Sequence, residues 1–351
     1  MIRKHPLVFF LLWLVVSGIV YGAFMHKATH WVNERWFDLV ERRFVQDRSA
    51  LLPEAGARWF GMYRPELPWD YARYYTVADS LRTEPKIVSW YQSWGEGEDG
   101  EFKTEAVEKV LEQGLVPMIT WEPWISAFKG HAGDTSGNLA HVIDGDFDLY
   151  IRKWARAVAR VHKPILLRPL HEMGNPWYSW TMPHGNSPQM IAESWRHLVR
   201  IFREEGAVNA AFVWTPHIAA DTLAWPGKEW VDWVGLDVFN YGTMAERGNW
   251  IDFSGIVGPL LAAVEPLDRP VMLAEVGSSS AGGDRRDWWI DAFRQLPKFP
   301  SVRAVVVFDN PACTNTTGIP VDWGFTQTEG ILPALAPLAA ASGATGRHRR
   351  R

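Results

Sequence analysis

The feature that most constrains this chain is an alternation. Eight short runs rich in β-branched and aromatic residues recur between Arg58 and Asn310. They are RWFGMY (58–63), KIVSWYQ (86–92), LVPMITWEP (115–123), PILLRPLHE (164–172), NAAFVWTPH (209–217), WVGLDVFNY (233–241), PVMLAEVGS (270–278) and VRAVVVFDN (302–310). Helical patterns lie between them. KTEAVEKVLEQG has apolar residues at helical spacing and ends on Gly114, a C-cap residue. DFDLYIRKWARAVARVHK opens with aspartates, which suit the positive end of a helix. SPQMIAESWRHLVRIFREEG offers Ser187 as N-cap, Pro188 in the first turn and Gly206 past the end. DRRDWWIDAFRQL fits the same scheme. Eight strands with intervening helices over about 280 residues have the count and size of a (β/α)8 TIM barrel. The competitor, a doubly wound open sheet, usually has fewer strands and, where it binds a nucleotide, a glycine-rich first turn. No G-x-G-x-x-G or P-loop pattern occurs. The α/β reading is therefore one barrel domain over residues 58–340, with no second domain.

The active site of such a barrel lies at the carboxyl ends of its strands. Strand two ends in Trp90, Tyr91 and Gln92 with Trp94 just beyond, and strand three in Trp121, Glu122 and Trp124. Strand four ends in His171 and Glu172, strand five in Trp214 and His217, and strand six in Asp237, Asn240 and Tyr241. Glu275 closes strand seven, and Asp309 and Asn310 close strand eight. Strand ends are generally polar, which covers the Asn and Asp residues but not the tryptophans. The chain has 21 Trp against 9 Tyr. Indole faces are large, flat and apolar, and the C–H faces of sugar rings lie well on them; about half of the tryptophans are expected to fill the core instead. Formal charge is -4, from 36 Lys and Arg against 40 Asp and Glu, with no basic block in the body. Nucleic acid is excluded as the main partner. The single Cys313 excludes an intramolecular disulfide and any cysteine-based zinc site.

Two glutamates then stand out. Glu172 and Glu275 each follow an apolar run and point into the barrel mouth. Side chains on a strand alternate, so Arg168, Leu170 and Glu172 share one face, with Arg168 beneath the Glu172 carboxylate. His171 points the other way or to the rim. Paired carboxylates across a sugar-sized groove are the machinery of glycoside hydrolysis: one, protonated, releases the leaving oxygen, and the other, ionised, attacks the anomeric carbon or activates water. A metal site built from His171, Glu172, His217 and Asp237 is the alternative, but HxH and HExxH spacings are missing. No G-x-S-x-G is present to support a serine nucleophile. No cofactor is implied.

The run LLRPLHEMGNPWYSW (166–180) resembles the signature of glycoside hydrolase family 26, R-x-x-H-E-M-N-G-x-W-x-x-W. VPMITWEPW, WVDWVGLDVFNYG and PVMLAEVGS resemble that family in the expected order, so the similarity covers roughly Arg58 to Gly330. Family members are (β/α)8 retaining enzymes, mostly β-mannanases, with some mixed-linkage β-glucanases and β-1,3-xylanases. The resemblance implies Glu172 as acid/base and Glu275 as nucleophile, with carboxyl groups about 5–5.5 Å apart. It implies substrate contacts from Arg168, His171, Trp177 and Asp237, with Trp121 and Trp180 as sugar platforms and Trp214 and Tyr241 among the binding residues. Two positions depart from the pattern. Gly174-Asn175 reverses the usual Asn-Gly, which is expected to alter the loop and shift Trp177. Phe239 stands where the family has a Tyr that hydrogen-bonds the nucleophile, so that bond is expected to be lost unless Tyr241 replaces it. The resulting expectation is a retaining endo-β-glycanase of mannanase or glucanase type acting on polysaccharide. The rival, from another class, is a polysaccharide-binding or secretion accessory protein on a retired glycosidase barrel.

Outside the barrel, Pro6 to Met25 is an uncharged run of about the length that crosses a bilayer, preceded by Arg3 and Lys4. A cleaved signal is the rival, but Tyr21-Gly22-Ala23 lacks the small residue wanted at such a site. Residues 1–28 are therefore read as a membrane anchor, 29–57 as a juxtamembrane helix or linker, and 341–351 as a basic tail without packed structure. This places the barrel outside the cytoplasm, at the cell envelope. Oligomeric state is not legible.

Overall fold

The computed structural model describes residues 51–244, 248–314 and 319–341. Eight strands close into a barrel in chain order. They are β1 (Trp59–Tyr63), β2 (Pro85–Ser93), β3 (Val116–Glu122), β4 (Ile165–Pro169), β5 (Ala210–Trp214), β6 (Trp233–Asn240), β7 (Val271–Ser278) and β8 (Val302–Phe308). Every ladder of the barrel is parallel, and β1 pairs with β8 to complete the ring. Each expected strand is present, most within two residues of its expected ends. Two stop early: β4 ends at Pro169 and β5 at Trp214.

The helices are α1 (Ala72–Leu81), α2 (Thr104–Glu112), α3 (Ala140–Ile143), α4 (Asp148–Val161), α5 (Pro188–Glu204), α6 (Phe253–Val264), α7 (Arg285–Gln295) and α8 (Ile331–Ala341). The expected caps form. Ser187 accepts from the Met190 amide at 3.1 Å at the start of α5, and Asp284 accepts from Arg286 and Asp287 at the start of α7. Helix α8 follows β8 and packs against α1 and α7, covering the seam. The outer layer departs from the simple repeat between β5 and β6. That connection contains two 3₁₀ turns, Ala219–Ala224 and Lys228–Trp230, instead of an α-helix. Pro216, Pro226 and Gly227 interrupt it, and proline and glycine both oppose a continuous helix there.

The tryptophans mostly fill the layer between strands and helices. Trp94, Trp121, Trp154, Trp180, Trp195, Trp214, Trp233 and Trp289 are all fully buried. Among the described residues no helix is long and apolar enough to cross a membrane. The expected anchor at 1–28, most of the expected linker and the basic tail from residue 342 lie outside the described residues. The last linker residues belong to the barrel body, since Arg303 on β8 donates to the Pro53 and Glu54 carbonyls at 2.7 and 2.8 Å.

Candidate active site

A buried polar network forms the top layer of the barrel interior. Arg168, on β4, is completely buried. Its Nε donates to Thr120 Oγ1 on β3 at 2.9 Å. One guanidinium nitrogen bonds both Asp237 carboxylate oxygens on β6, at 2.8 and 2.9 Å, and the other bonds Glu275 on β7. A break in register aligns those two acids: the β6–β7 ladder shifts after Leu236, so Asp237 pairs with Glu275 and Ala274 is skipped. The Tyr91 hydroxyl, from β2, donates to the same Glu275 oxygen that Arg168 contacts. Burial raises the Glu275 pKa, Arg168 and Tyr91 pull against that rise, and the charge of Glu172 adds to it. Burial and the Glu275 charge push the Tyr91 phenol well above its ordinary value, so it remains a donor.

Two expectations are corrected here. Arg168 does not lie beneath Glu172; it holds Glu275 and Asp237. The alternation that predicted otherwise ends at Pro169, because Leu170 (φ 50°) and Glu172 (φ 52°) both adopt the left-handed conformation. That region is costly for bulky residues, of order 1–3 kcal/mol each. Local bonds hold the bend. The Glu172 amide donates to the Thr215 carbonyl at 2.8 Å, and Trp180 Nε1 donates to the His171 carbonyl at 3.0 Å. The second correction concerns Phe239. The hydroxyl expected to be missing from Glu275 is supplied by Tyr91 on another strand, and Tyr241 does not replace it. Phe239 instead packs with Phe308, Trp323 and Tyr241.

Glu172 has a different neighbourhood. Its Oε1 lies 3.2 Å from His217 Nδ1, and its Oε2 accepts from the Asn175 side chain at 2.7 Å. Burial alone would raise this carboxyl, but the His217 hydrogen bond and charge, with His171 and Asn175, bring it down to about 2. Burial alone would lower His217, and the Glu172 bond and charge reverse that and raise it. Each group thus favours the charged form of the other. The Gly174-Asn175 order acquires a reason. A Cβ on Gly174 would sit 2.2 Å from Asp221 Oδ1, so only glycine fits, and Asn175 is then positioned to reach the acid. Asp221 in turn accepts from the amides of His217 and Ile218, fixing the loop that carries His217. Asn175 Oδ1 also accepts from the Trp177 amide at 2.9 Å.

Of the expected substrate-binding residues, the structure brings Arg168, His171, Asp237 and Tyr241 together around the two glutamates. Tyr241 is half-buried, and its phenol is raised by burial and then by the charges of both Glu172 and Glu275. Trp177 is also half-buried and meets Tyr241 edge-on, ring centres 6.0 Å apart. His171 does not reach the rim. It is buried against Tyr91, Tyr178 and Trp180, and burial, then the Arg168 charge, lowers its pKa to about 3, so the imidazole is neutral. Trp121, Trp180 and Trp214 are corrected more firmly. All three are fully buried and offer no face to a sugar: Trp121 lies among Trp94, Trp154 and Phe202, Trp180 stacks on Tyr178, and Trp214 meets Trp225. The half-buried aromatics at the mouth are instead Tyr63, Tyr91, Trp124, Trp177, Tyr178, Phe239 and Tyr241. Strand-end position marked Tyr91, Trp124 and Tyr241 among these, but the alternation did not separate them from the buried set. Glu122, at the end of β3, is a third carboxylate on this face; it accepts from Trp124 Nε1 and Ser93 Oγ at 3.1 Å, and burial raises it.

A closed (β/α)8 barrel with two buried carboxylates at its carboxyl rim, one gripped by arginine and tyrosine and one by histidine, defines a class: the paired-acid barrels. The sequence matches the description "Glycosyl hydrolase family 26" over residues 127–289. That matched span contains both Glu172 and Glu275. It is 28% identical over 222 residues to Endoglucanase H of Acetivibrio thermocellus, covering 60% of this chain and 23% of that protein. It is 28% identical over 127 residues to the β-1,3-xylanase TXYA of a Vibrio species, covering 33% and 26%. The chain thus spans about a quarter of the length of these curated relatives. A family 26 β-mannanase from Bacteroides ovatus superposes with a TM-score of 0.61 at 16% identity, covering 88% of this chain and 98% of that one, which shows the shared fold.

Proposed function

We propose that this protein is a retaining endo-β-glycanase, of mannanase or glucanase type, cleaving polysaccharide by double displacement. The observation that carries the reading is the unequal treatment of the two acids. Glu275 is held by a cation and a phenol, which favour its ionised form against the opposing effect of burial and fix the attacking oxygen. Glu172 is paired with an imidazole that keeps a proton available. In the first step Glu275 attacks the anomeric carbon while Glu172 protonates the departing oxygen. In the second, Glu172 takes a proton from water, which releases the sugar with its configuration retained. Half-buried Trp177 and Tyr241 are suited to stack on sugar rings. The retired-barrel alternative drew on the amino-terminal anchor and on the missing Tyr at position 239, and the Tyr91–Glu275 bond weakens the second of these. The curated relatives include enzymes named for glucan, xylan and mannan, so the sugar is left to experiment.

The test is turnover of mannan, mixed-linkage β-glucan and β-1,3-xylan by the full chain beside Glu275→Ala. Cleavage of at least one polymer, lost in the variant and giving a retained anomer by NMR, is expected. An inverted anomer, or activity indifferent to Glu275→Ala, contradicts the mechanism. The uncharged run at 6–25 and the basic residues before it support a further part of the reading, that the barrel works tethered at the cell envelope on exported polysaccharide. Fractionation of the producing cells checks this: the chain should remain with membranes after a high-salt wash.

A further inference from the structure

A second cluster of chemistry lies in the connection between β3 and α4, on the segment leading into α3 and on α3 itself, apart from the two glutamates. One ring nitrogen each of His131 and His141 and one carboxylate oxygen of Asp134 all lie within 4.8 Å of one another. Within the cluster, His141 Nε2 stands 3.7 Å from Asp134 Oδ2, too long for a hydrogen bond, and just outside it His131 Nε2 stands 3.9 Å from Asp146 Oδ2. The donors around a tetrahedral zinc ion, with bonds of about 2.0–2.1 Å, are about 3.4 Å apart. The cluster is therefore spaced more like ligands of one ion than like partners of one another.

Its surroundings fit the same role. His141 Nδ1 lies 2.8 Å from Asp146 Oδ2. With the proton on Nδ1, that bond orients the ring and leaves the Nε2 lone pair facing Asp134, the carboxylate–histidine support that metal-bound imidazoles usually have. Asp134 Oδ1 is occupied by the Ser136 amide at 2.9 Å and by its hydroxyl, which fixes the carboxylate and leaves Oδ2 toward His141. The His131 ring packs against buried Phe147 at 5.0 Å, so one side of the cluster is apolar. The three donors are partly exposed, so an ion has a path in.

We propose that His131, Asp134 and His141 form a binding site for a divalent transition metal of the zinc class, with Asp146 orienting His141. Two imidazoles and one carboxylate suit zinc or cobalt, while calcium and magnesium prefer all-oxygen sites. Three protein ligands leave a fourth position for water. The site would staple the loop at a useful point. Asn186, just before α5, donates to the Gly137 carbonyl at 3.2 Å and accepts from the Leu139 amide at 2.8 Å, and a Cβ on Gly137 would meet the Ser179 carbonyl at 2.4 Å. The metal loop therefore abuts the segment that carries Trp177 and Tyr178.

The experiment uses the untagged full chain, stripped with a chelator. Zinc is titrated by calorimetry, and cobalt(II) is followed by its visible absorption. One equivalent is expected to bind, with the intense spectrum of a four-coordinate ion and a melting temperature raised by at least about 2 °C. Calcium and magnesium should produce neither change. His131→Ala and His141→Ala should each abolish the cobalt band, and Asp146→Asn should weaken zinc about tenfold or more. Should an alanine variant fail to fold, His131→Gln and Asp134→Asn read the same loss. Absence of zinc binding tighter than about 100 μM overturns the proposal. So does binding that survives in the histidine variants, since other histidines would then be the ligands.

Discussion

The two glutamates sit at the same rim but on different foundations, and the contrast is instructive. Everything that holds Glu275 comes from strands: Arg168 from β4, Tyr91 from β2, and Asp237 alongside on β6. Everything that holds Glu172 comes from connecting segments: the left-handed turn after β4, Asn175 in the same turn, and His217 beyond the end of β5. Strands in a closed barrel cannot shift independently, so the Glu275 carboxylate is fixed in position. Loops can adjust, which suits the proton-delivering and proton-recovering role proposed for Glu172. On the proposed mechanism, the arrangement separates rigid positioning of the nucleophile from proton handling.

The largest effect expected from breaking one side alone comes from Glu172→Ala. General acid assistance contributes about 10²–10⁴-fold, so kcat/KM on polysaccharide should fall by that order. An aryl glycoside with a very acidic phenol leaves without protonation, so its first step should be nearly untouched and glycosyl-enzyme should accumulate as a burst. Equal losses on both substrates would remove Glu172 from the acid role.

How far the sequence foretold this contrast depends on the same division. Strand and helix periods are local, so all eight strands, the capped helices and both glutamates were legible. The partners of the glutamates were not. Tyr91 and Glu275 are 184 positions apart and meet only because the barrel closes. Arg168 was placed under the wrong acid because alternation was carried past Pro169 to Glu172, through a turn where Leu170 and Glu172 leave extended geometry. Phe239 looked like a lost hydroxyl because a strand position reveals nothing of what the opposite wall supplies. The tryptophans failed for another reason. An indole at a strand end can face the mouth or the surrounding helices, and residue type does not distinguish Trp177, half-buried at the mouth, from Trp121, packed against Trp154 on α4.

On the strand side, Tyr91→Phe is the next largest change. Hydrogen bonds to charged groups contribute about 1.5–3 kcal/mol, so a loss of about 10–100-fold in kcat is expected. The sign of the pH effect follows from the bond: Tyr91 pulls the Glu275 pKa down against burial, so its removal raises that pKa. The proposed mechanism requires Glu275 to be ionised, so the acid limb of the kcat/KM profile should move to higher pH. An acid limb that stays in place would show that Tyr91 does not bear on Glu275.

On the loop side, His217→Asn tests the pairing, with a smaller cost of about tenfold near pH 7. The paired proton is lost only above the raised His217 pKa, which lies above the imidazole's ordinary 6.5. Without His217, Glu172 must hold its own proton, so the basic limb of kcat/KM should move to lower pH. Stability should respond in a defined window. Glu172, lowered from 4.5, contributes fully above 4.5 and loses its contribution as pH falls toward about 2. His217, raised from 6.5, contributes fully below 6.5 and loses its contribution as pH rises through its folded value. The difference in unfolding free energy between the native chain and His217→Asn should therefore be greatest between pH 4.5 and 6.5. A difference that is flat with pH would deny the pairing.

The smallest expected effect sharpens the contrast most. Phe239→Tyr restores the hydroxyl that the sequence lacks at that strand position. If the site needed a phenol from β6, activity should rise by an order of magnitude. The geometry argues for almost no change. The Glu275 oxygen already accepts from both Arg168 and Tyr91, and both donors belong to the fixed wall. The Phe239 ring also has little freedom to turn toward the acid. It lies against Trp323 at 4.8 Å and Phe308 at 5.3 Å, and a Cβ on Gly277 would touch it at 2.9 Å. A change in kcat/KM below about threefold is expected, equivalent to roughly 0.6 kcal/mol. Combining Phe239→Tyr with Tyr91→Phe decides the matter: if the phenol is transferable between strands, the double variant recovers the activity lost in Tyr91→Phe, and if Tyr91 is the fixed donor, it does not.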